Sequence, residues 1–244
     1  MVPLDLGGNL PILFLCRDAH KKRERTVAWR HIVLSLFNQT PSKGRFSEKM
    51  IRVFTSLCKS LFENLTDLDI FKNATNGFNH YGESCPNCGA VGKLSLYSSY
   101  SRGLVSYVNG TVVDHRVSPC RFECTSCGVT HALLPDILVP YSPFSLNFKL
   151  TVLKAYYERT TTVVAVCEHF GIAVSTLYSW KKLLSEHKEL LLGTVTSLEK
   201  SALTFLVSLF EATCLSDYLR SFFRRHAFSF MQYTPVVATR NHPT

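Results

Sequence analysis

The chain has 244 residues, 46% hydrophobic and 12% aromatic, which is enough for a packed core and excludes a wholly disordered polymer. Its 27 Lys and Arg against 18 Asp and Glu leave a formal charge of +9, which favours a polyanionic partner, nucleic acid before an anionic membrane. Nine cysteines are too sparse for a disulfide scaffold. No apolar run reaches the ~20 residues of a spanning helix, so no membrane partner is expected. The apolar patch over 10–16 is short, and basic residues follow it instead of preceding it, unlike a secretory signal. The thiols are therefore expected in a reducing, cytoplasmic setting, where paired cysteines hold metal more often than they form disulfides.

Residues 17–60 carry eleven Lys or Arg and three acids, so most of the excess charge sits there. Apolar spacing predicts helices over 26–37 and 46–65, joined by a loop at 38–44, with a linker over 66–84. Residues 1–75 thus read as a basic helical extension. Residues 85–141 read as short strands, with Asn109-Gly110 between β-prone runs as a hairpin signal. Helical periodicity returns over 142–192 and again over 195–235.

Cys85-Pro-Asn-Cys88-Gly89 and Cys124-Thr-Ser-Cys127-Gly128 flank that hairpin. Each is a tight turn that aims two thiolates at one point, and the glycine after the second Cys accepts φ > 0. Four thiolates complete a tetrahedral shell suited to Zn2+, with no position open for chemistry. Cys85, Cys88, Cys124 and Cys127 are the expected metal ligands. Cys120 and His131 rank below them, since Cys120 lacks the paired turn and His131 lies past the second one. Cys16, Cys58 and Cys214 read as buried thiols. Between the knuckles, Tyr97, Tyr100, Arg102, Tyr107 and Arg116 interleave aromatic and basic groups. Such a hairpin pairs across its strands or contacts nucleic acid.

The second motif runs from Thr161 to Lys182. Thr161 or Thr162 caps a helix whose inner face is Val163, Val166 and Phe170, with the small Cys167 at a close crossing. Gly171 suits a left-handed turn, and Ile172 follows it as a buried hook. Ser175 is expected to cap a second helix with Leu177 and Trp180 facing inward. Ser175, Thr176, Tyr178, Ser179, Lys181 and Lys182 then face outward. With Arg102 they form the expected DNA contacts, the small groups toward base edges and the lysines toward phosphates. A helix over 146–157 completes a tri-helical unit.

These residues together resemble a family of zinc-ribbon proteins found with bacterial mobile elements, whose domain has no assigned function. The carriers are the two knuckles, Val139-Pro-Tyr, and Gly171-Ile-x3-Thr-Leu-Tyr-x-Trp180. The arrangement also resembles the N-terminal DNA-binding region of insertion-sequence transposases. The resemblance spans about 80–235 and implies binding to double-stranded DNA. It does not extend to a catalytic carboxylate triad: residues 181–244 read as helices and are too few for the RNase H-like sheet that carries one.

The sequence thus predicts an α+β, mainly α chain. Its parts are a basic extension (1–75), a small β zinc ribbon (80–141), a helix-turn-helix (142–192) and C-terminal helices (195–235). The expected function is a non-catalytic, zinc-containing DNA-binding protein of the bacterial cytoplasm and nucleoid, serving a mobile element as regulator or accessory. Two alternatives stay open at this stage. One is the recognition part of a split transposase with a separate catalytic partner, and the other is an RNA-binding zinc ribbon. The apolar helices of 195–230 also leave a homodimer open.

Overall fold

The computed structural model describes residues 50–55, 57, 65–192, 201–212 and 215–233. The predicted helix over 26–37, the loop at 38–44 and the thiols Cys16, Cys58 and Cys214 lie outside them. The described residues fall within one unit, Pro41–Thr244.

The chain opens with β1 (Met50–Val53) and α1 (Asp67–Asn76). It continues through β2 (Leu94–Ser99), β3 (Arg102–Val108), β4 (Thr111–Val117), β5 (Cys120–Cys124) and β6 (Thr130–Pro135). Five helices follow: α2 (Leu146–Glu158), α3 (Val163–Phe170), α4 (Val174–Leu192), α5 (Ala202–Phe210) and α6 (Leu215–His226). Among the described residues, six helices and six strands, 42% helical and 24% strand, correct the expectation of a mainly helical chain. The fold is mixed α+β, with the strand-rich part preceding most of the helices.

Two local readings are corrected with it. Residues 50–53, predicted helical, form β1, which pairs in parallel with β6 (Met50 with Ala132, Val53 with Pro135). The run Met-Ile-Arg-Val satisfies either period, and a partner some 80 residues away decides for the strand. The predicted linker contains α1, nucleated by a reciprocal capping box: the Thr66 side chain accepts from the Asp69 N–H, and the Asp69 carboxylate accepts from the Thr66 N–H.

The larger sheet has the order β1-β6-β5-β2, and β3 and β4 form a separate two-stranded sheet. One antiparallel register nevertheless runs from Ser98 and Arg121 through β3–β4, with a one-residue shift between Leu96 and Ser98 toward the base. Ser99 faces Cys120, Arg102 faces Val117, and Val108 faces Thr111 at the tip. Between the two ladders the Tyr100 N–H donates to the Pro119 carbonyl at 3.2 Å. Pro119 has no N–H to return, so the ladder opens there and the ribbon divides. The two sheets are thus halves of one long hairpin. Asn109 (φ 50°) and Gly110 (φ 82°) close it in the turn their dipeptide predicts.

Apolar side chains form two clusters. The larger holds Phe148, Leu150, Val166, Phe170, Leu177 and Trp180 under the helices, and Leu104 from the ribbon. The smaller holds Ile51, Leu94, Phe122 and Leu133 with Cys85 and Cys124. The segment after β1 is stitched to the end of β6 and to the start of α6. The Leu57 N–H donates to Ser216 Oγ (2.8 Å), and Asp136 accepts from Thr55 (2.7 Å) and Ser216 (2.8 Å). Asp67 of α1 accepts from Ser145 (2.5 Å) and Asn147 (3.2 Å), which ties α1 to the start of α2. Among the described residues no single helix is long and apolar enough to cross a membrane.

Lys149 on α2 is 3% exposed. Its Nζ donates to the Met231 carbonyl at 3.1 Å and lies 5.5 Å from the Trp180 ring. Burial first, then the charge of Arg102, pulls its ammonium down to about 7. The unfolded value is ~10.4, so the folded protein binds fewer protons between the two values. Stability therefore rises with pH from about 7 toward 10 and is lost as pH falls through the folded value. Urea midpoints of metal-loaded protein should climb across this window and flatten in Lys149→Met. An equal slope in both proteins would remove Lys149 as the cause.

Candidate functional site

The two Cys-x-x-Cys-Gly turns fold alike because they make the same bonds. The Cys85 N–H donates to Ala90 O (2.9 Å) and the Cys124 N–H to Val129 O (3.0 Å). The Gly89 N–H returns to Cys85 O and the Gly128 N–H to Cys124 O, both at 2.8 Å. Gly89 (φ 75°) and Gly128 (φ 69°) take the left-handed conformation that closes each turn. Cys124 ends β5, opposite Leu94, so ribbon register delivers the second turn to the first.

The four sulfurs lie within 4.8 Å of one another. Cys85 Sγ is 3.8 Å from Cys127 Sγ, and Cys88 Sγ is 3.7 Å from Cys124 Sγ. A sulfur tetrahedron with metal bonds of ~2.3 Å has edges of about 3.8 Å. The spacing also far exceeds the ~2.05 Å of a disulfide. The described cysteines are free thiols, and this cluster can hold a metal ion.

Electrostatics within the cluster are uneven. The Asn87 side-chain amide, 3.5 Å from the sulfur, and the Val129 N–H draw the Cys127 thiol down to about 6. For Cys88 the Ala90 N–H favours the thiolate, but lost hydration and the three neighbouring sulfurs outweigh it and push the thiol up to about 12. Four thiolates at one point repel, and a cation is what makes their joint ionisation favourable. His131 is fully buried on β6, with Nε2 3.3 Å from Cys85 Sγ, so it touches a ligand sulfur from outside the four. Cys120 begins β5, four residues before Cys124, and does not belong to the group.

The ribbon leads from this cluster to the helices. Near its tip, Tyr107 Oη lies 2.7 Å from His169 Nε2, and its ring packs 5.0 Å from Phe170. Helix α3 is capped by Thr162, whose side chain accepts from the Ala165 N–H, and closed by Gly171 (φ 61°). The Ile172 N–H donates back to Cys167 O at 3.0 Å. Helix α4 leaves at a bend of 101°. Its cap position falls at Ala173, two residues before the expected Ser175: the Leu177 N–H bonds to Ala173 O, and Ser175 sits inside the first turn, where its carbonyl accepts from Ser179 Oγ (2.8 Å).

Leu177 and Trp180 are buried, as their spacing requires. Ser175, Ser179 and Lys182 are exposed, Tyr178 is 47% exposed, and Thr176 and Lys181 are half-buried. Lys181 Nζ lies 5.4 Å from the Tyr156 ring and 5.6 Å from the Tyr178 ring, so two tyrosines from different helices orient it. Lys182 pairs loosely with Glu186 at 3.9 Å. Arg102 is elsewhere: Nη2 donates to the carbonyls of Val139 (3.0 Å) and Ser142 and pins the turn before α2. Tyr97 and Arg116 are exposed on the ribbon. The links from His131 to Cys85 and from Tyr107 to His169 were missed by the sequence reading, because both depend on register across the fold.

Against this geometry, a family model described as a domain of unknown function (DUF6431) matches residues 85–180. The match starts at the first ligand thiol and ends at Trp180, so it spans the cluster, the ribbon and the α3–α4 turn. No curated protein and no solved structure matches the chain.

Proposed function

We propose that the chain is a non-catalytic, zinc-binding protein that reads double-stranded DNA with α3 and α4. The observation that carries the reading is the α3–Gly171–α4 geometry. A 101° bend lies within the range of a helix-turn-helix, and α4 presents Ser175, Tyr178, Ser179 and Lys182 outward over a buried Leu177 and Trp180. Short polar groups in its first turns suit base edges, and Lys181 and Lys182 suit phosphates. The net charge of +9 supplies the background attraction.

Zinc is the ion of this reading, because a closed set of four thiolates at tetrahedral spacing suits it best. Cys85, Cys88, Cys124 and Cys127 would hold it, and its contribution would be folding energy. A regulator or accessory factor of a bacterial mobile element, acting in the cytoplasm beside a separate transposase, is the role that the motif pattern supports.

Duplexes selected from a random library provide the probe. Changing Lys181 and Lys182 together to Ala should weaken binding roughly tenfold and reduce the slope of log K against log salt by about 2. A gel-shift series with identical slopes for both proteins would reject the phosphate role, and failure to enrich any duplex would reject the reading itself.

A further inference from the structure

The face of the larger sheet turned away from the cysteine cluster carries a groove. Strand alternation builds it. Register places Ser98, Arg121, Ala132 and Met50 side by side across the sheet, while Phe122, Leu133 and Ile51 point to the opposite face with the thiols. Met50, Ala132 and Leu134 line the groove between the ribbon bend and the 140–143 turn. Its volume is about 540 Å3, within the range of ligand sites.

Its walls are basic and aromatic. On one side the Arg121 guanidinium lies over the Tyr100 ring, 4.8 Å from the centroid, and remains exposed. On the other stands Tyr141, 81% exposed although it is a large aromatic. Its backbone takes φ 59°, a conformation that costs energy for a residue with a bulky side chain. Under that wall Arg102 holds the carbonyls of Val139 and Ser142, and the Val105 N–H donates to the Pro143 carbonyl at 2.8 Å. The Ser142 hydroxyl faces the Phe144 N–H at 3.3 Å. Among the described residues no carboxylate lines the groove.

We infer that this groove binds single-stranded DNA, with Arg121 on a phosphate and bases stacked on Tyr141 and Tyr100. Stacking platforms beside a basic track are what a strand needs, whatever its sequence. Base stacking and a phosphate contact make no use of a 2′-hydroxyl, so the groove does not require RNA. The chain's own residues 1–49 are a poor occupant on charge, because nine basic and four acidic residues give them a net +5. The inference is independent of duplex reading by α4.

The test uses the full chain, metal-loaded, with fluorescent dT15 and a library-selected duplex at 150 mM salt. Arg121→Ala and Tyr141→Gly should each weaken dT15 binding about tenfold and leave duplex affinity within about twofold. Glycine at 141 relieves the backbone, so a loss there is not misfolding, and Tyr141→Phe should retain binding. Lys182→Ala should show the converse pattern. The inference is overturned if wild-type protein does not bind dT15, if the two variants bind it as wild type does, or if rU15 binds tenfold more tightly than dT15. A protein that binds dT15 but no duplex would keep this inference and reject the duplex reading.

Discussion

Cys124→Ser is expected to abolish metal binding and to cost about 4 kcal/mol or more of stability. Cys124 is fully buried, ends β5 opposite Leu94, and belongs both to the thiol cluster and to the smaller apolar cluster. Without the ion, three remaining thiols cannot hold two turns together, and the base of the ribbon loses its clamp. Cys120→Ser is the matched control: the same strand and a half-buried thiol, but outside the cluster. Metal content and thermal midpoint measured on both variants decide the matter. Retention of one ion and an unchanged midpoint in Cys124→Ser would contradict the assignment of this ligand.

Phe148→Ala is expected to cost about 3–5 kcal/mol, the range for emptying a large aromatic site in a core. Phe148 is fully buried on α2 and sits where three elements meet. Its ring stacks on Phe144 at 5.4 Å and meets Phe170 of α3 at 5.9 Å and Trp180 of α4 at 6.2 Å, both edge-on. Few small movements could close a hole bordered by three rings. Because α3 and α4 both rest on Phe148, duplex affinity should fall with stability although the residue is far from solvent. Urea unfolding checks the first effect, and a loss below about 1 kcal/mol would show that the site collapses freely.

The parts of the molecule that were legible in its sequence are those fixed by local chemistry. Each cysteine turn carries its ligands, its glycine and its hydrogen bonds within six residues, so spacing alone brings the pairs into view. Asn109-Gly110 marks the ribbon tip, and Thr162 and Gly171 mark the ends of α3, for the same reason. Ser175 missed its capping role by two residues, which is within the usual slack at a helix start. What stayed hidden depends on distant partners. The strand at Met50–Val53 exists because β6 lies beside it, and α1 holds its place through Asp67 and the start of α2. Arg102 reads as a DNA contact by composition, yet its guanidinium is committed to two carbonyls that sequence cannot place.

Continuity of the ribbon gives the thiols a reach beyond their own turns. Its base carries Cys124 and its tip strand touches His169 and Phe170, so a loosened base changes what α3 rests on. On this account the ion acts on DNA binding only through packing and never at the interface itself.

Metal analysis combined with X-ray absorption on the full chain, purified under reducing conditions, tests the central claim most directly. The account predicts one zinc per chain in a shell of four sulfurs at ~2.3 Å. A folded chain that retains its ribbon while carrying no metal, or an ion bound mainly through nitrogen or oxygen, would contradict it.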